Sequence, residues 1–182
     1  MELSDRFVAH AIGGNVVPAR ARVLVAVSGG GDSMALLHLL AGAAAGRGPV
    51  LEAVCVDHRT RPGTADEARF AGEVCRSLGV PFRVVELADG SGEWSEDFLR
   101  RARRQALAAA GRSSGAACVA LGHQADDVAE TTAMRLLRGA GLDGLAGIPA
   151  RSGRIVRPLL PFRRAELRDW LRGRGLSWVE DP

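Results

Sequence analysis

Three consecutive glycines, Gly29–Gly31, separate an apolar segment from a helical pattern, and this feature constrains the fold most strongly. The segment Arg22–Val27 predicts a buried strand, and Ser33–Ala45 is apolar nearly all round, which predicts a buried helix. A tight strand-to-helix turn needs fewer glycines, and each extra one adds a backbone entropy cost. The run therefore indicates a loop whose backbone approaches a ligand.

The rest of the chain repeats this alternation of apolar runs and helical patterns. Further strands are predicted at Leu51–Val56, Phe82–Leu87, Val119–Leu121 and Ile155–Arg157. Further helices are predicted from a capping box of Thr64 and Glu67, from Ser95, over Ala125–Arg138 and over Arg163–Arg174. The alternation predicts one α/β domain over residues 1–182, with a doubly wound, mostly parallel five-stranded sheet in the order 3-2-1-4-5 and helices on both faces.

Three of these helices carry apolar residues at helical spacing, which predicts the faces that pack on the sheet. The residues expected to face inward are Ala68, Ala71, Cys75 and Leu78 after Thr64, Leu99, Ala102, Ala106 and Ala109 after Ser95, and Ala129, Ala133, Leu136 and Leu137 in the next helix.

Composition excludes several classes of protein. No apolar run approaches the roughly 20 residues that span a bilayer, and the N-terminus lacks a secretory pattern, so we expect a cytoplasmic protein with no membrane partner. The cysteines Cys55, Cys75 and Cys118 are odd in number and far apart, which argues against a disulfide framework or a zinc ribbon. All 24 cationic side chains are arginines, so no Walker lysine exists.

The arginines are unevenly distributed. Residues 1–91 hold 9 Arg against 10 acidic residues, whereas residues 92–182 hold 15 against 11. Because arginine binds phosphate through two parallel hydrogen bonds, the excess in the second half favours a polyanionic partner.

The loop Ser28-Gly29-Gly30-Gly31-Asp32-Ser33 has the chemistry of a phosphate cradle. Backbone amides of the loop and of the following helix form a positive nest, and the hydroxyls of Ser28 and Ser33 add donors. Asp32 repels phosphate unless a cation lies between them, so its presence favours Mg²⁺. A dinucleotide-binding turn stays a minor alternative: Met34 stands where its third glycine belongs, and Asp57 is placed as a ribose-binding acid.

A second polar cluster follows the fourth strand, where His123, Asp126, Asp127 and Glu130 lie within eight residues. Carboxylates in a first helical turn also complement the helix dipole. Asp127 and Glu130 share a helix face, where they suit an ammonium group or a metal. In the predicted sheet the first and fourth strands are neighbours, so this cluster and the glycine loop are expected to face each other across a crevice.

The glycine loop resembles the SGGxDS loop of the PP-loop ATP pyrophosphatases. Further segments resemble one branch, the tRNA(Ile)-lysidine synthetases: Val56-Asp57-His58, Leu99–Arg104, Gly122–Thr131, Arg135–Gly139, Gly144–Ile148, Arg157–Leu160 and Trp178–Asp181. The resemblance runs from Arg22 onward and implies an adenine nucleotide α-hydrolase-like fold. The chain departs from the usual pattern at Arg59 and Thr60, at Arg104, and at Gln124, where a second histidine is common.

The resemblance implies a two-step reaction on an isoleucine tRNA. The C2 carbonyl oxygen of the wobble cytidine attacks the α-phosphate of ATP, and the ε-amine of L-lysine then displaces AMP. It implies ATP contacts from Ser28 to Ser33, a metal site for Mg²⁺ at Asp32 and Asp126, and catalytic roles for Asp32, His123 and Asp126. Lysine is expected at Asp127 and Glu130. The basic ridge Arg100, Arg103 and Arg104 is expected to contact tRNA, with a solvated, ion-paired helix face as the alternative.

Two other functions stay open at this stage. One is a related PP-loop enzyme, either a tRNA thiolase or an amide-forming synthetase, and the other is a non-catalytic adenine-nucleotide sensor. The family's C-terminal tRNA-binding domains have no counterpart in these 182 residues, so we expect ATP binding with weak tRNA modification. A homodimer is compatible with the sequence.

Overall fold

The computed structural model describes residues 1–44, 48–57, 63–87, 95–139 and 147–180. The helices are α1 (Leu3–Val8, extended by a π-helical segment, Ala9–Gly13), α2 (Gly31–Ala44), α3 (Thr64–Ser77), α4 (Glu96–Ser113), α5 (Ala125–Leu137) and α6 (Arg164–Arg172). The strands are β1 (Arg22–Ala26), β2 (Val50–Asp57), β3 (Phe82–Glu86), β4 (Cys118–Ala120), β5 (Arg151–Ser152) and β6 (Ile155–Val156).

The strands form one sheet in the order β3-β2-β1-β4-β6-β5. All pairs are parallel except β5 with β6, which form an antiparallel pair. The doubly wound fold and the order of the five predicted strands are confirmed, with β6 as the predicted fifth strand. The short strand β5 at the sheet edge is an addition that the sequence analysis did not predict.

Side-chain alternation along the central strands builds two separate cores. Val23, Val25 and Val27 face the larger core, which also takes in α2, α3 and α6. Leu24 and Ala26 face the opposite side, where Leu107 and Ala110 of α4 cover them together with side chains of β2 and β4. Because successive residues of a strand point to opposite faces, this arrangement requires apolar residues at every position from Val23 to Val27.

Two expectations about helices α3 and α4 need correction. The capping box of Thr64 and Glu67 is wrong, because α3 begins after Gly63 at a positive φ of 102° and no side chain caps it. Ser95 does cap α4, accepting a hydrogen bond from the Phe98 amide at 3.3 Å. Ala109 is exposed and Ala110 is buried instead. Eleven residues from Leu99 complete about three helical turns, whereas ten residues leave Ala109 about 80° away.

The predicted inward face of α5 is also wrong. Ala129, Ala133, Leu136 and Leu137 are all exposed, and no residue of α5 is buried. The helical spacing indicated an apolar face correctly, but none of the described elements covers it. The short N-terminal helix α1, which buries Phe7, was not predicted.

Residues at the C-terminal end return to the glycine loop. Val179 forms a parallel bridge with Gly30, and its amide donates to the carbonyl oxygen of Gly29 at 2.9 Å. His58, Gly144–Ala146 and Asp181, which carry part of the family resemblance, lie outside the described residues. Among the helices that the structure describes, none combines the length and the apolarity that a transmembrane span requires.

Candidate functional site

The glycine loop is shaped by close contacts on both sides. Gly29 has a φ of +88°, which an L side chain rarely adopts, and a Cβ atom there would lie 3.3 Å from the carbonyl oxygen of Glu67. A Cβ atom on Gly31 would lie 3.4 Å from the ring of Trp178. Positive φ and close packing therefore explain two of the three glycines. Gly30 has room for a Cβ atom and lines a cavity instead.

The two loop hydroxyls have different roles. Ser33 Oγ donates to the carbonyl oxygen of Gly30 at 2.9 Å and accepts from the Ser28 amide at 3.1 Å. The two hydroxyl oxygens lie 3.2 Å apart. Because the single proton of Ser33 is directed at Gly30, Ser28 donates in this pair. Ser33 is buried and closes the loop, whereas Ser28 is exposed and lines the cavity.

A cavity of about 280 Å³ opens beside the loop, between the carboxyl ends of β1 and β2. Apolar side chains of β1 and β2 line it together with Ser28 and Gly30 of the loop. Asp57 at the end of β2, Thr64 and Glu67 of α3, and Arg103 of α4 also line it. A pocket that combines apolar side chains with a few polar groups is typical of small-molecule sites.

The loop after β4 lies against the glycine loop, as the strand order predicted. A Cβ atom on Gly122 would lie 3.2 Å from the backbone of Asp32 and Ser33. Gln124 is fully buried, and its Oε1 accepts from the Asp126 amide at 2.6 Å. The backbone amide of Gln124 in turn donates to Oδ2 of Asp127 at 2.9 Å. Gln124 therefore caps α5 in the position where the resembling family commonly has histidine.

The acidic residues converge on Arg164, which the sequence analysis did not select. Its Nη2 lies 3.3 Å from Oδ1 of Asp127 and 3.3 Å from Oε1 of Glu130, and its Nε lies 3.7 Å from Oδ2 of Asp32. Its backbone amide donates to Oδ2 of Asp126 at 2.9 Å. The first turns of α2, α5 and α6 therefore meet at one guanidinium group. In the sequence, Arg164 was visible only as part of a predicted helix start.

Burial and neighbouring charges determine the pKa of Asp32. Burial raises the pKa of this carboxyl, the Arg164 guanidinium opposes the rise, and the neighbouring Asp127 carboxylate adds to it. Asp32 contacts the guanidinium Nε of Arg164 and Asp126 contacts its backbone amide, so both carboxylates border the same residue. No cluster of three metal-binding side chains occurs among the described residues. Two carboxylates fit Mg²⁺, which usually completes its shell with water and phosphate oxygens.

The predicted basic ridge is exposed on α4 and also lines a cavity. Arg100, Arg103 and Arg104 line a cavity of about 450 Å³ together with His123 and Arg157. Burial lowers the pKa of His123, and the charge of Arg157 lowers it further, while Asp127 opposes the change. Arg103 and Leu107 also line the smaller cavity beside the glycine loop, so one wall separates the two. Arg157 was noted in the sequence only as part of a predicted strand and of the family resemblance, not as a site residue.

The cysteines lie in the protein interior, as expected. Cys55, Cys75 and Cys118 are free and buried. Burial raises the pKa of both Cys55 and Cys75 to about 11, so these thiols stay protonated near neutral pH. Thiols in this state are poor nucleophiles.

Comparison with known proteins identifies relatives over most of the chain. Curated proteins called tRNA(Ile)-lysidine synthase align with it at 43% identity over 168 residues in Hyphomonas neptunium and at 41% over 165 residues in Deinococcus radiodurans. These alignments cover 87% and 88% of this chain but only 45% and 27% of the relatives. The chain thus spans less than half of the length of either relative.

Solved structures share the fold at low sequence identity. A U34-tRNA thiolase from Methanococcus maripaludis with its [4Fe-4S] cluster superimposes with a TM-score of 0.84 at 21% identity, over 98% of this chain and 65% of that one. An NMN synthetase from Francisella tularensis gives a TM-score of 0.61 at 13% identity, over 96% and 70%. The family model described as the PP-loop domain matches residues 5–182. The chain therefore belongs to the PP-loop domain family.

Proposed function

We propose that this chain is the nucleotide-activating part of a tRNA(Ile)-lysidine synthase. The observation that carries the proposal is the glycine loop, which opens on a cavity on one side and meets the carboxylate cluster around Arg164 on the other. The names of relatives above 40% identity support the choice of reaction. ATP, L-lysine and an isoleucine tRNA are the substrates, and the reaction takes place in the cytoplasm.

In the first step, the C2 carbonyl oxygen of the wobble cytidine attacks the α-phosphorus of ATP. A new oxygen–phosphorus bond forms, and the bond to the bridging oxygen breaks, which releases pyrophosphate with its electron pair. Amides of the glycine loop and the N-terminus of α2 stabilise the charge that develops on this leaving group. The Ser28 hydroxyl adds a donor when its proton turns from Ser33 towards the phosphate, while Ser33 holds the loop closed.

Mg²⁺ supplies additional charge neutralisation on the phosphate oxygens when it is bound. Asp32 and Asp126 are the residues that would hold it. Asp32 contacts the guanidinium of Arg164 and Asp126 its backbone amide, so an ion held there would neighbour this arginine.

In the second step, the neutral ε-amine of lysine attacks C2 of the adenylated cytidine, and AMP leaves with the electron pair of the carbon–oxygen bond. Asp127 and Glu130 hold the ammonium form before it loses its proton. In this structure Arg164 contacts both carboxylates, so lysine competes with an internal guanidinium for the same two groups. His123, with its lowered pKa, is neutral near pH 7 and available to accept the proton.

The larger cavity receives the target base. Arg100, Arg103 and Arg104 line it beside His123, which places cations and a proton acceptor in one compartment. Arg103, on the wall shared with the smaller cavity, is placed between the nucleotide and the base. Arginine side chains bind phosphates and stack on bases, and both contacts suit a nucleotide that has left its helical stack.

The test measures pyrophosphate release and lysine incorporation separately. The chain is incubated with ATP, Mg²⁺ and a transcript of the isoleucine tRNA, with radiolabelled lysine in one reaction and a sulfur donor in the other. We expect pyrophosphate release that depends on the tRNA, label only from lysine, and loss of both signals in Asp32→Asn. Label from the sulfur donor would assign the chain to the thiolases. Calorimetric ATP binding without any pyrophosphate would indicate a nucleotide sensor.

A further inference from the structure

A groove lined by arginines adjoins the cavity of about 450 Å³ that contains His123. It encloses about 690 Å³ between α4 and the β5–β6 hairpin. Arg104, Ser152 and Ile155 line both spaces, so the groove and the cavity share one boundary. The groove opens on the side of the sheet that α4 covers, away from α2, α3 and α6.

The groove carries positive charge without a compensating acid. Its arginines are Arg101, Arg104, Arg112 and Arg154, and no carboxylate occurs among the described residues that line it. On the opposite face of the sheet the pattern differs. There Arg69 pairs with Asp66 at 3.0 Å and Arg172 with Asp169 at 3.0 Å.

Like charges crowd at the boundary between groove and cavity. The pKa of Arg157 is lowered by burial first and then by the charges of Arg104 and Arg100. Guanidinium groups that interact in this way repel one another, which costs stability unless an anion joins them. This mutual repulsion and the charge of the groove both indicate a ligand with several negative charges.

The spacing of the groove residues fits an extended strand better than a single phosphate. Arg101 and Arg112 are eleven positions apart on α4, which is about 16 Å along the helix axis. Arg154 approaches from the hairpin on the opposite wall. Cations distributed along a groove of this length suit successive phosphates of one strand.

We propose that the groove binds the sugar–phosphate backbone of the single-stranded RNA that flanks the target base. The inference rests on the proposed function and adds to it the path of the strand, with Arg101, Arg112 and Arg154 as its phosphate contacts. Phosphate contacts of this kind set register and orientation without reading sequence. The base itself enters the adjoining cavity at Arg104.

The test is RNA binding, which needs no catalysis. A short RNA hairpin with a cytidine in its loop is titrated into the chain at several salt concentrations, starting near 50 mM. Replacing Arg101, Arg112 and Arg154 by Gln is expected to weaken binding at least about tenfold and to reduce the slope of log K against log salt by about two. The matched control replaces three exposed arginines elsewhere, Arg20, Arg69 and Arg76, and is expected to bind as the unsubstituted chain does.

Equal binding by the groove variant and the control would overturn the inference, as would an absence of hairpin binding by the unsubstituted chain at low salt. Asp32→Asn separates this result from the proposed function, because it is expected to lose pyrophosphate release and keep its affinity for the hairpin. It is also possible to separate the two conclusions by outcome. If the groove variant loses RNA binding, the groove is supported. If the unsubstituted chain releases no pyrophosphate in the same experiments, the proposed reaction is contradicted while the groove stands.

A crosslinking measurement locates the strand independently of charge removal. The three native cysteines are buried, so a new surface thiol is the preferred site for a photoreactive label. Ser152→Cys places the label in the groove, and Ser77→Cys places it on α3 as the control. We expect crosslinks to loop nucleotides beside the cytidine from position 152 only. Equal crosslinking from position 77 would contradict the assigned path.

Discussion

At the scale of a single residue, the pKa of Asp32 is subject to two opposing effects, burial and the charge of Arg164. Its carboxylate lies in partly buried surroundings, where burial raises its pKa above the usual 3.8, and it lies next to Arg164. A carboxyl whose pKa is higher in the folded state than in the unfolded chain favours folding only while it is protonated. This contribution is lost as the pH rises from the pKa of the unfolded carboxyl through the pKa of the folded one.

Asp32→Asn is therefore expected to raise the free energy of unfolding at pH 7, by about 0.5–1 kcal/mol, while it abolishes pyrophosphate release. The gain is expected to fade below pH 3.8, where the unfolded carboxyl is itself protonated. Urea denaturation of both proteins at a series of pH values measures this. A variant that is less stable at pH 7 would show that the Arg164 contact outweighs burial.

Arg164 makes a second residue-scale prediction, because it contacts the two carboxylates assigned to lysine. Exposed ion pairs contribute about 0.2–1 kcal/mol each, so removing two of them is expected to tighten lysine binding about three- to tenfold. Calorimetric titration of Arg164→Gln with lysine measures the change. Arg168→Gln is the matched control, since Arg168 also lies on α6 but pairs with Glu180. Equal affinities in the two variants would contradict the competition.

At the scale of elements, the strands were predictable because their signal is local. Val23 and Val25 of β1 lie in one core and Leu24 in the other. A continuous apolar run of this length already predicts a strand that is buried on both of its faces. The exposure of α5 was not predictable in this way. Its apolar spacing is real, but burial depends on which element lies opposite. The position of Arg164 was hidden for the same reason, since its partners on α5 are 34 to 37 positions away in sequence.

The contrast between α4 and α5 has a measurable consequence. Leu107 is 3% exposed in the smaller core, so Leu107→Ala is expected to cost about 2–5 kcal/mol of unfolding free energy. Leu137 is 89% exposed, so Leu137→Ala is expected to change it by less than about 0.5 kcal/mol. Chemical denaturation followed by circular dichroism measures both changes. A large loss from Leu137→Ala would mean that another part of the protein packs on α5.

At the scale of the whole molecule, residues far apart in sequence meet at the glycine loop. The Val179 amide donates to Gly29, and the Trp178 ring packs where Gly31 lacks a side chain. The Arg172 guanidinium lies 5.5 Å from the centre of the same ring. Residues about 150 positions away therefore fix the shape of the loop, so the loop sequence alone does not determine its conformation. The pairing of Val179 with the loop was not predicted from the sequence.

Trp178→Ala tests this long-range support of the loop. The truncation is expected to cost about 1–2 kcal/mol of unfolding free energy, less than for a fully buried ring because Trp178 is half-buried, and to weaken ATP binding severalfold. Trp170→Ala on α6 is the control, since its ring is also half-buried and lies against Arg174 rather than against the loop. Both variants are expected to lose stability, yet only Trp178→Ala should lose affinity in a calorimetric ATP titration. Unchanged ATP affinity in Trp178→Ala would mean that the glycine loop keeps its binding conformation without support from the C-terminal segment.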